Sequence, residues 1–238
     1  MSRNVLMFAA MMVSISAHGA CSTAPDAKPL HLVELYTSEG CSSCPPADKW
    51  MSAVGGKPDF VGIEFHVDYW DSSEFRDPFS DRAYTKRQET LVKRGEHEQS
   101  YTPQIWLDGQ LWHNWPQGAP PSGSSGADAP VHIEADIADP TTTHVSITRD
   151  GKQNVYVALT ENGLSTAVHG GENKGKTLAH DHVVRAFAGP FDQAHIETDL
   201  KIPKGVVLSK SAIVAFAADD RNGSISRVAR LPLDSCAK

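Results

Sequence analysis

Two cysteines separated by two serines, Cys41-Ser42-Ser43-Cys44, are the residues of this 238-residue sequence whose types and spacing most directly imply chemistry. A Cys-x-x-Cys at the start of a helix lets its first thiol face solvent and the helix N-terminus, whose partial positive charge favours thiolate over thiol. Cys41 is then the nucleophile. Cys44, one turn later and more buried, resolves a mixed disulfide by attacking Cys41, so the pair cycles between dithiol and disulfide. Two other readings fit the same spacing: a static short-loop disulfide, and half of a zinc site that must find two further ligands, because there is no second paired-cysteine motif. The remaining cysteines, Cys21 and Cys236, stand near the two ends of the chain. They either tie the ends together or serve separately, Cys21 removed or lipidated and Cys236 a free thiol.

The elements that must position the dithiol can be read on either side of it. Leu30 to Tyr36 is a short apolar run suited to a buried strand, and it leads through Thr37-Ser38-Glu39-Gly40 into Cys41. Pro45 and Pro46 then open a helix, where a missing N–H costs nothing. Phe60 to Val67 reads as a second strand, and Pro78 to Arg94 as a charged helix closed by Gly95. Tyr101-Thr102-Pro103-Gln104 precedes the apolar Ile105-Trp106-Leu107, an Asp108-Gly109 turn and Gln110-Leu111-Trp112, which together signal a hairpin. Between His113 and Pro130 the composition turns to Pro, Gly and Ser, the signature of a linker. Beyond it, short alternating apolar runs with turns at Asp150-Gly151 and Asn222-Gly223 predict a β-sandwich and no helix. The predicted organisation is a thioredoxin-like α/β domain over 29–112, a linker over 113–130 and a β-rich, sandwich-like domain over 131–235.

Val33 to Asp48, and with it Phe65-His66-Val67-Asp68-Tyr69-Trp70, Asp77-Pro78-Phe79-Ser80, Arg87-Gln88, Tyr101-Thr102-Pro103-Gln104 and Gly171 to His180, resembles an exported thioredoxin-like family catalogued as domain of unknown function 1223. The resemblance implies a thioredoxin fold followed by a β-rich region, and it supplies no established substrate. By similarity to thioredoxins at large, Pro103 is the cis-proline opposite the dithiol, and Thr102 offers its backbone to an extended substrate segment. Glu34 occupies the place of a buried acidic residue on the strand leading to the dithiol, where a raised pKa would let it accept the proton of Cys44. A carboxylate that is salt-bridged or turned to solvent is the other reading of Glu34. The closing helix expected after the hairpin is missing, its place taken by Trp112-His113-Asn114-Trp115-Pro116.

Composition excludes some functions and directs others. Residues 1–20 have the charged, apolar and small-residue order of a secretory signal, placing the mature chain in the periplasm or outside the cell, with lipid attachment at Cys21 as the alternative. Removing residues 1–19 takes away Arg3 and no acidic residue, moving the formal net charge from −7 to −8, which argues against nucleic acid as a partner. No later segment is apolar enough for a stable membrane span. His66 and Asp68 alternate on one strand, where they either tune the thiols or cap the strand end. His180 and His182 flank Asp181, with His169 and Glu172 shortly before, a conceivable metal set. Gly171 to Lys176 reads as a solvated turn, and Trp106, Trp112 and Trp115 as cover for a sheet edge.

The expected function is a thiol-disulfide oxidoreductase with Cys41, Cys44 and Glu34 as catalytic residues and Thr102 and Pro103 holding the substrate. Its partners are protein thiols or disulfides and a redox partner protein, and neither an organic cofactor nor a resident metal is assigned. Two alternatives use the same residues: a copper-binding protein in which His66 or His113 joins the thiols, and a binding module in which the dithiol is a static disulfide.

Overall fold

A computed structural model describes residues 20–24, 30–120, 131–219, 221–234 and 236 of the chain. Residues 1–19 of the expected signal segment and residues 121–130 of the expected linker lie outside the described residues.

The strand before the dithiol forms as β2 (His31–Thr37), followed by α1 (Pro45–Val54), β3 (Phe60–His66) and α2 (Arg82–Arg94). α2 starts later than the sequence predicts, because Asp81 caps it by accepting the backbone N–H of Ala83 and Pro78 to Ser80 are held in a turn on Asp77. β2 and β3 pair in parallel, and β4 (Gln104–Leu107) and β5 (Gln110–Leu111) follow antiparallel on the other side of β2. The hairpin turn has positive φ at both Asp108 and Gly109, as a two-residue primed turn requires. A side chain at Gly109 would strike the backbone of Gly223, so this turn also carries the contact with the Asn222-Gly223 turn.

The second half of the chain does not stand apart. β8 (Asn154–Glu161), β11 (Val183–Phe191), β13 (Ser211–Ala218) and β14 (Ile225–Pro232) join the first-half strands in one eight-stranded mixed sheet of order β14-β13-β8-β11-β3-β2-β4-β5. The seam is the parallel pairing of Val183 on β11 with Glu64 on β3. This corrects the predicted fold class of an α/β thioredoxin-like domain followed by a β domain. Strand makes up 43% of the described residues and helix 15%, with two α-helices, and the large sheet draws on both sides of the 113–130 stretch. The physical reason is that β3 is buried along its whole length, so its far edge needs a hydrogen-bonding neighbour, and β11 supplies it. A composition break between two runs says nothing about whether their strands share a sheet.

A second, four-stranded sheet, β1 (Ala20–Ser22), β6 (His132–Asp139), β7 (Thr142–Thr148) and β12 (His195–Lys201), packs its apolar face on one face of β8, β13 and β14. Ile133, Val145, Ile147, Ile196 and Leu200 meet Val155, Val157, Leu159, Ile213 and Leu231 there. Cys21 on β1 is disulfide-bonded to Cys236 at the edge of this core. The two remaining strands, β9 (Leu164–Ala167) and β10 (Thr177–His180), form a separate two-stranded hairpin.

On the other face of the large sheet, α2 covers Leu32, Tyr36, Val61, Ile63, Phe65 and Phe216. Among these buried groups sits Arg87, whose Nε and Nη2 donate to the two carboxylate oxygens of Glu34 at 2.6 and 2.7 Å. The Tyr36 hydroxyl donates to Glu34 at 2.9 Å, and the guanidinium lies over the Tyr156 and Phe216 rings at 4.6 and 4.7 Å. A charge removed from water is tolerable only when compensated, and Arg87 compensates Glu34 with a two-pronged bond. Arg87→Ala is therefore expected to destabilise the protein by about 3–5 kcal/mol in urea unfolding, the range for breaking a buried pair from one side. Arg87→Lys, which keeps the charge and loses the fork, should recover part of that loss.

Candidate functional site

Cys41 and Cys44 are joined in a disulfide at the entry to α1, Cys44 being the residue before its first turn. The Ser43 hydroxyl stands 3.2 Å from Cys41 Sγ. Contrary to the expectation of a solvent-facing first thiol, Cys41 is 1% exposed and Cys44 fully buried, while Ser42 and Ser43 are exposed.

The cover over Cys41 comes from the loop of the β9–β10 hairpin. The Asn173 side-chain amide donates to the carbonyls of Glu39 and Cys41 at 3.0 and 2.8 Å. The Glu172 backbone N–H donates to the Gly40 carbonyl, and its carboxylate accepts from the Ser42 backbone N–H and hydroxyl at 2.9 and 2.7 Å. Gly171, at φ +66°, is where the two backbones come closest: a Cβ there would stand 2.7 Å from the Gly40 Cα. The segment from Gly171 to Lys176 is thus a clasp on the dithiol loop rather than a solvated turn.

Thr102 and Pro103 lie at the same end of the sheet. Gln104 pairs with Tyr36, so the residues before it run beside Thr37 and the loop that β2 feeds into. The Thr102-Pro103 bond is cis, and Trp70 Nε1 donates to the Thr102 hydroxyl at 2.8 Å while the Trp70 Cβ packs against Gly40. Trp70 thereby ties this pair to the dithiol loop. Exposed Tyr69 and Tyr101 flank it.

Glu34 is placed elsewhere. Side chains alternate along a strand, and on β2 Leu32, Glu34 and Tyr36 face α2, whereas Val33 and Leu35 pack with Ala47, Met51 and Val54 on the α1 side. The dithiol opens α1, so the sheet separates it from the Glu34–Arg87 pair. The acidic groups on the dithiol's own face are Glu39, Asp48, Glu64 and Asp77, all buried together with His66 and His180.

These six residues form one network. Asp48, one helical turn after Cys44, accepts from the Thr37 hydroxyl at 2.6 Å. His66 bonds Asp77 through Nδ1 at 2.8 Å and Glu64 through Nε2 at 3.0 Å. His180 bonds the same Glu64 oxygen through Nδ1 at 3.0 Å, and its Nε2 stands 3.4 Å from Glu39. Asp77 further accepts the backbone N–H groups of Glu39 and Phe79. Burial works against the charged form of every member, and the outcome depends on partners. For Glu64 and Asp77 the hydrogen bonds and charge of the histidines overcome burial and hold both carboxyls at about 2. His180 is pushed up to about 9 by Glu39 and Glu64 against the effect of burial, and His66 is raised well above its ordinary value, chiefly by Asp77. Asp48 goes the other way: burial, reinforced by the Glu64 charge, pushes its carboxyl up to about 7.

Part of this network is legible in local patterns. Gly62, Glu64 and His66 alternate with Val61, Ile63 and Phe65, a pattern that puts two ionisable groups on one face of the strand. Gly62 itself lets α1 approach, since a Cβ there would stand 2.7 Å from the Gly55 Cα. Asp48 stands four residues after Cys44 and so on its helix face. No local pattern reveals Asn173, and the one that singles out His180 groups it with His182, His169 and Glu172, whereas its partners in the fold are Glu64 and Glu39. Asp68 does not join His66: it accepts from the Thr85 hydroxyl on α2 and so caps the strand end. His182 turns toward Gly55 and Gly62, and His113 and His169 are exposed. Trp106 is a core residue, while Trp112 and Trp115 pack with Trp50 beside α1.

The family described as protein of unknown function (DUF1223) matches residues 32–217, the span that contains the dithiol, the network and the clasp. In fold the chain is similar to protein AGR_C_4864 from Agrobacterium tumefaciens, a crystal structure with a TM-score of 0.61 and 23% identity, over 86% of this chain and 95% of that one. It is also similar to HBP35 of Porphyromonas gingivalis, with a TM-score of 0.56 and 13% identity, over 89% of this chain and 77% of that one. No curated protein matches the chain.

If the clasp governs access to Cys41, loosening it must change the thiol's reactivity. In reduced Cys44→Ser protein, adding Asn173→Ala removes two hydrogen bonds of about 1 kcal/mol each and is expected to speed iodoacetamide alkylation of Cys41 roughly thirtyfold. An unchanged rate in a variant of unchanged fold would remove the hairpin from any gating role.

Proposed function

For this chain, which belongs to the DUF1223 family of proteins of unknown function, we propose the activity of a thiol-disulfide oxidoreductase that works through Cys41 and Cys44 outside the cytoplasm. The observation that carries the reading is the placement of the pair: a short-loop disulfide at a helix entry, beside the Thr102-Pro103 strand start and above a buried set of titratable groups. A purely structural staple has no use for the last two.

In the step proposed, the Cys41 thiolate attacks a partner's disulfide, forming a Cys41–partner bond and releasing the partner's other sulfur as a thiolate. Cys44, having lost its proton, attacks Cys41 and displaces the partner's first sulfur, so two electrons pass to the partner and the Cys41–Cys44 disulfide forms. The reverse sequence oxidises a partner dithiol. Thr102 and Pro103 are the proposed seat for the partner chain. The proton from Cys44 goes to the α1 side of the sheet, with Asp48 as acceptor in place of Glu34, which is committed to Arg87. Because Cys41 is covered, exchange needs the hairpin clasp to open, and opening also offers the partner's backbone the groups that Asn173 and Glu172 had held. Partners are protein thiols or disulfides. Export is supported by the leader-like first residues and by two disulfides, and no described helix is long and apolar enough to cross a membrane.

A second reading has one observation behind it. The burial of Cys41 is what a static disulfide in a binding module would show.

Trapping separates the two. Cys44→Ser protein expressed with its own leader is expected to accumulate mixed disulfides through Cys41 that dissolve on reduction and are missing from the Cys41→Ser, Cys44→Ser double variant. Folded Cys44→Ser protein that traps nothing, with or without Asn173→Ala, contradicts the oxidoreductase reading.

A further inference from the structure

The network beneath the dithiol contains a feature that thiol exchange does not call for. His66 Nε2 and His180 Nδ1 both point at one oxygen of Glu64, at 3.0 Å each, while the second oxygen of Glu64, fully buried, has no hydrogen-bond partner. Two imidazole nitrogens and a carboxylate therefore converge on one point, with all three donor atoms within 4.8 Å of one another. The outer nitrogen of each ring faces another carboxylate: His66 Nδ1 bonds Asp77 at 2.8 Å, and His180 Nε2 stands 3.4 Å from Glu39.

We propose that Glu64, His66 and His180 form a binding site for a divalent first-row transition ion of the zinc or iron(II) type, next to the Cys41–Cys44 pair but made without its sulfurs. A metal-ligating histidine almost always hands its other ring N–H to a carboxylate, which fixes the ring and raises its basicity. His66 has that arrangement through Asp77, and the outer nitrogen of His180 faces Glu39 at 3.4 Å without a hydrogen bond. Two nitrogens and a carboxylate oxygen are the donor set of hydrolytic zinc sites and of non-haem iron(II) sites, and they are a poor match for copper(I), which prefers sulfur. An orphaned, fully buried carboxylate oxygen is expensive to maintain, and a cation taken up by the Glu64 carboxylate through its second oxygen gives it a partner. The ligands come from separate parts of the fold. Glu64 and His66 are fixed by the register of β3, and His180 ends β10, the strand that follows the clasp. The hairpin that covers Cys41 thus also carries the third ligand, and its opening is the route by which an ion enters.

The site stands independently of the redox reading. Full-length mature protein stripped with EDTA and dialysed against zinc chloride is expected to take up one equivalent, and so is the Cys41→Ser, Cys44→Ser variant. His66→Ala and His180→Ala should lose it, and Glu39→Gln, which alters only the outer contact, should weaken it by roughly 10–100-fold. Should the histidine variants fail to fold, cobalt(II) bound to the unaltered protein decides: visible d–d bands with no sulfur-to-cobalt charge-transfer band support the site. Wild-type protein that retains no zinc against a competing chelator overturns the proposal. So does uptake that vanishes in the double cysteine variant, or a cobalt spectrum dominated by sulfur charge transfer, since either would make the thiols the ligands.

Discussion

β2 and β3 are buried on both faces, and this burial dictates where the protein can place its charges. A strand covered on one side can send its charged residues to water, but Glu34, Glu64 and His66 have no such exit, so each must find compensation inside the protein. Alternation decides where. Glu34 falls on the α2 side and is met by Arg87; Glu64 and His66 fall on the α1 side and are met by His180 and Asp77. α2 is held to the sheet partly by the first set, and the β9–β10 hairpin is held over the dithiol partly by the second. Changing which face a residue occupies would leave a buried charge unpaired.

The same constraint explains the cover over Cys41. His180 must reach Glu64, and it is the last residue of β10, so the hairpin is anchored at its far end by a buried ionic contact. Its loop is then fixed over the dithiol, where Asn173 and Glu172 bond the Glu39 to Ser42 backbone. The dithiol is buried by a segment that is neither part of the large sheet nor tied to it by strand pairing. The hairpin is therefore held by side-chain and loop hydrogen bonds rather than by a strand ladder to the large sheet, and those bonds must break if Cys41 is to meet another protein.

Much of the local structure was legible in the sequence, since it depends on local physics. β2, β3, α1 and the Asp108-Gly109 hairpin fall within a residue or two of their predicted positions, and Thr102-Pro103 carries the cis bond that similarity implied. What the sequence could not show is long-range. The pairing of Val183 with Glu64 merges the two halves into one sheet, and no feature of the Pro, Gly and Ser stretch between them announces it. For Glu34 the sequence left open a buried proton acceptor or a salt-bridged or solvent-facing carboxylate, and its place opposite Arg87 depends on a strand's rotation about its axis, set by the packing of both helices. Asn173 and His180, far along the chain from Cys41, have local surroundings typical of an ordinary turn and strand, and only the fold gives them their partners.

Cys41–Cys44, proposed as an exchangeable redox pair, must differ from a staple in how readily it is reduced. Its reduction potential measures this directly: mature protein equilibrated in glutathione buffers of graded potential, with the dithiol fraction read by thiol trapping and mass spectrometry while Cys21–Cys236 serves as an internal comparison. An exchange-active pair titrates between about −120 and −270 mV, the span of known dithiol oxidoreductases. A pair that stays oxidised below about −300 mV, together with Cys21–Cys236, behaves as a structural disulfide and contradicts the account.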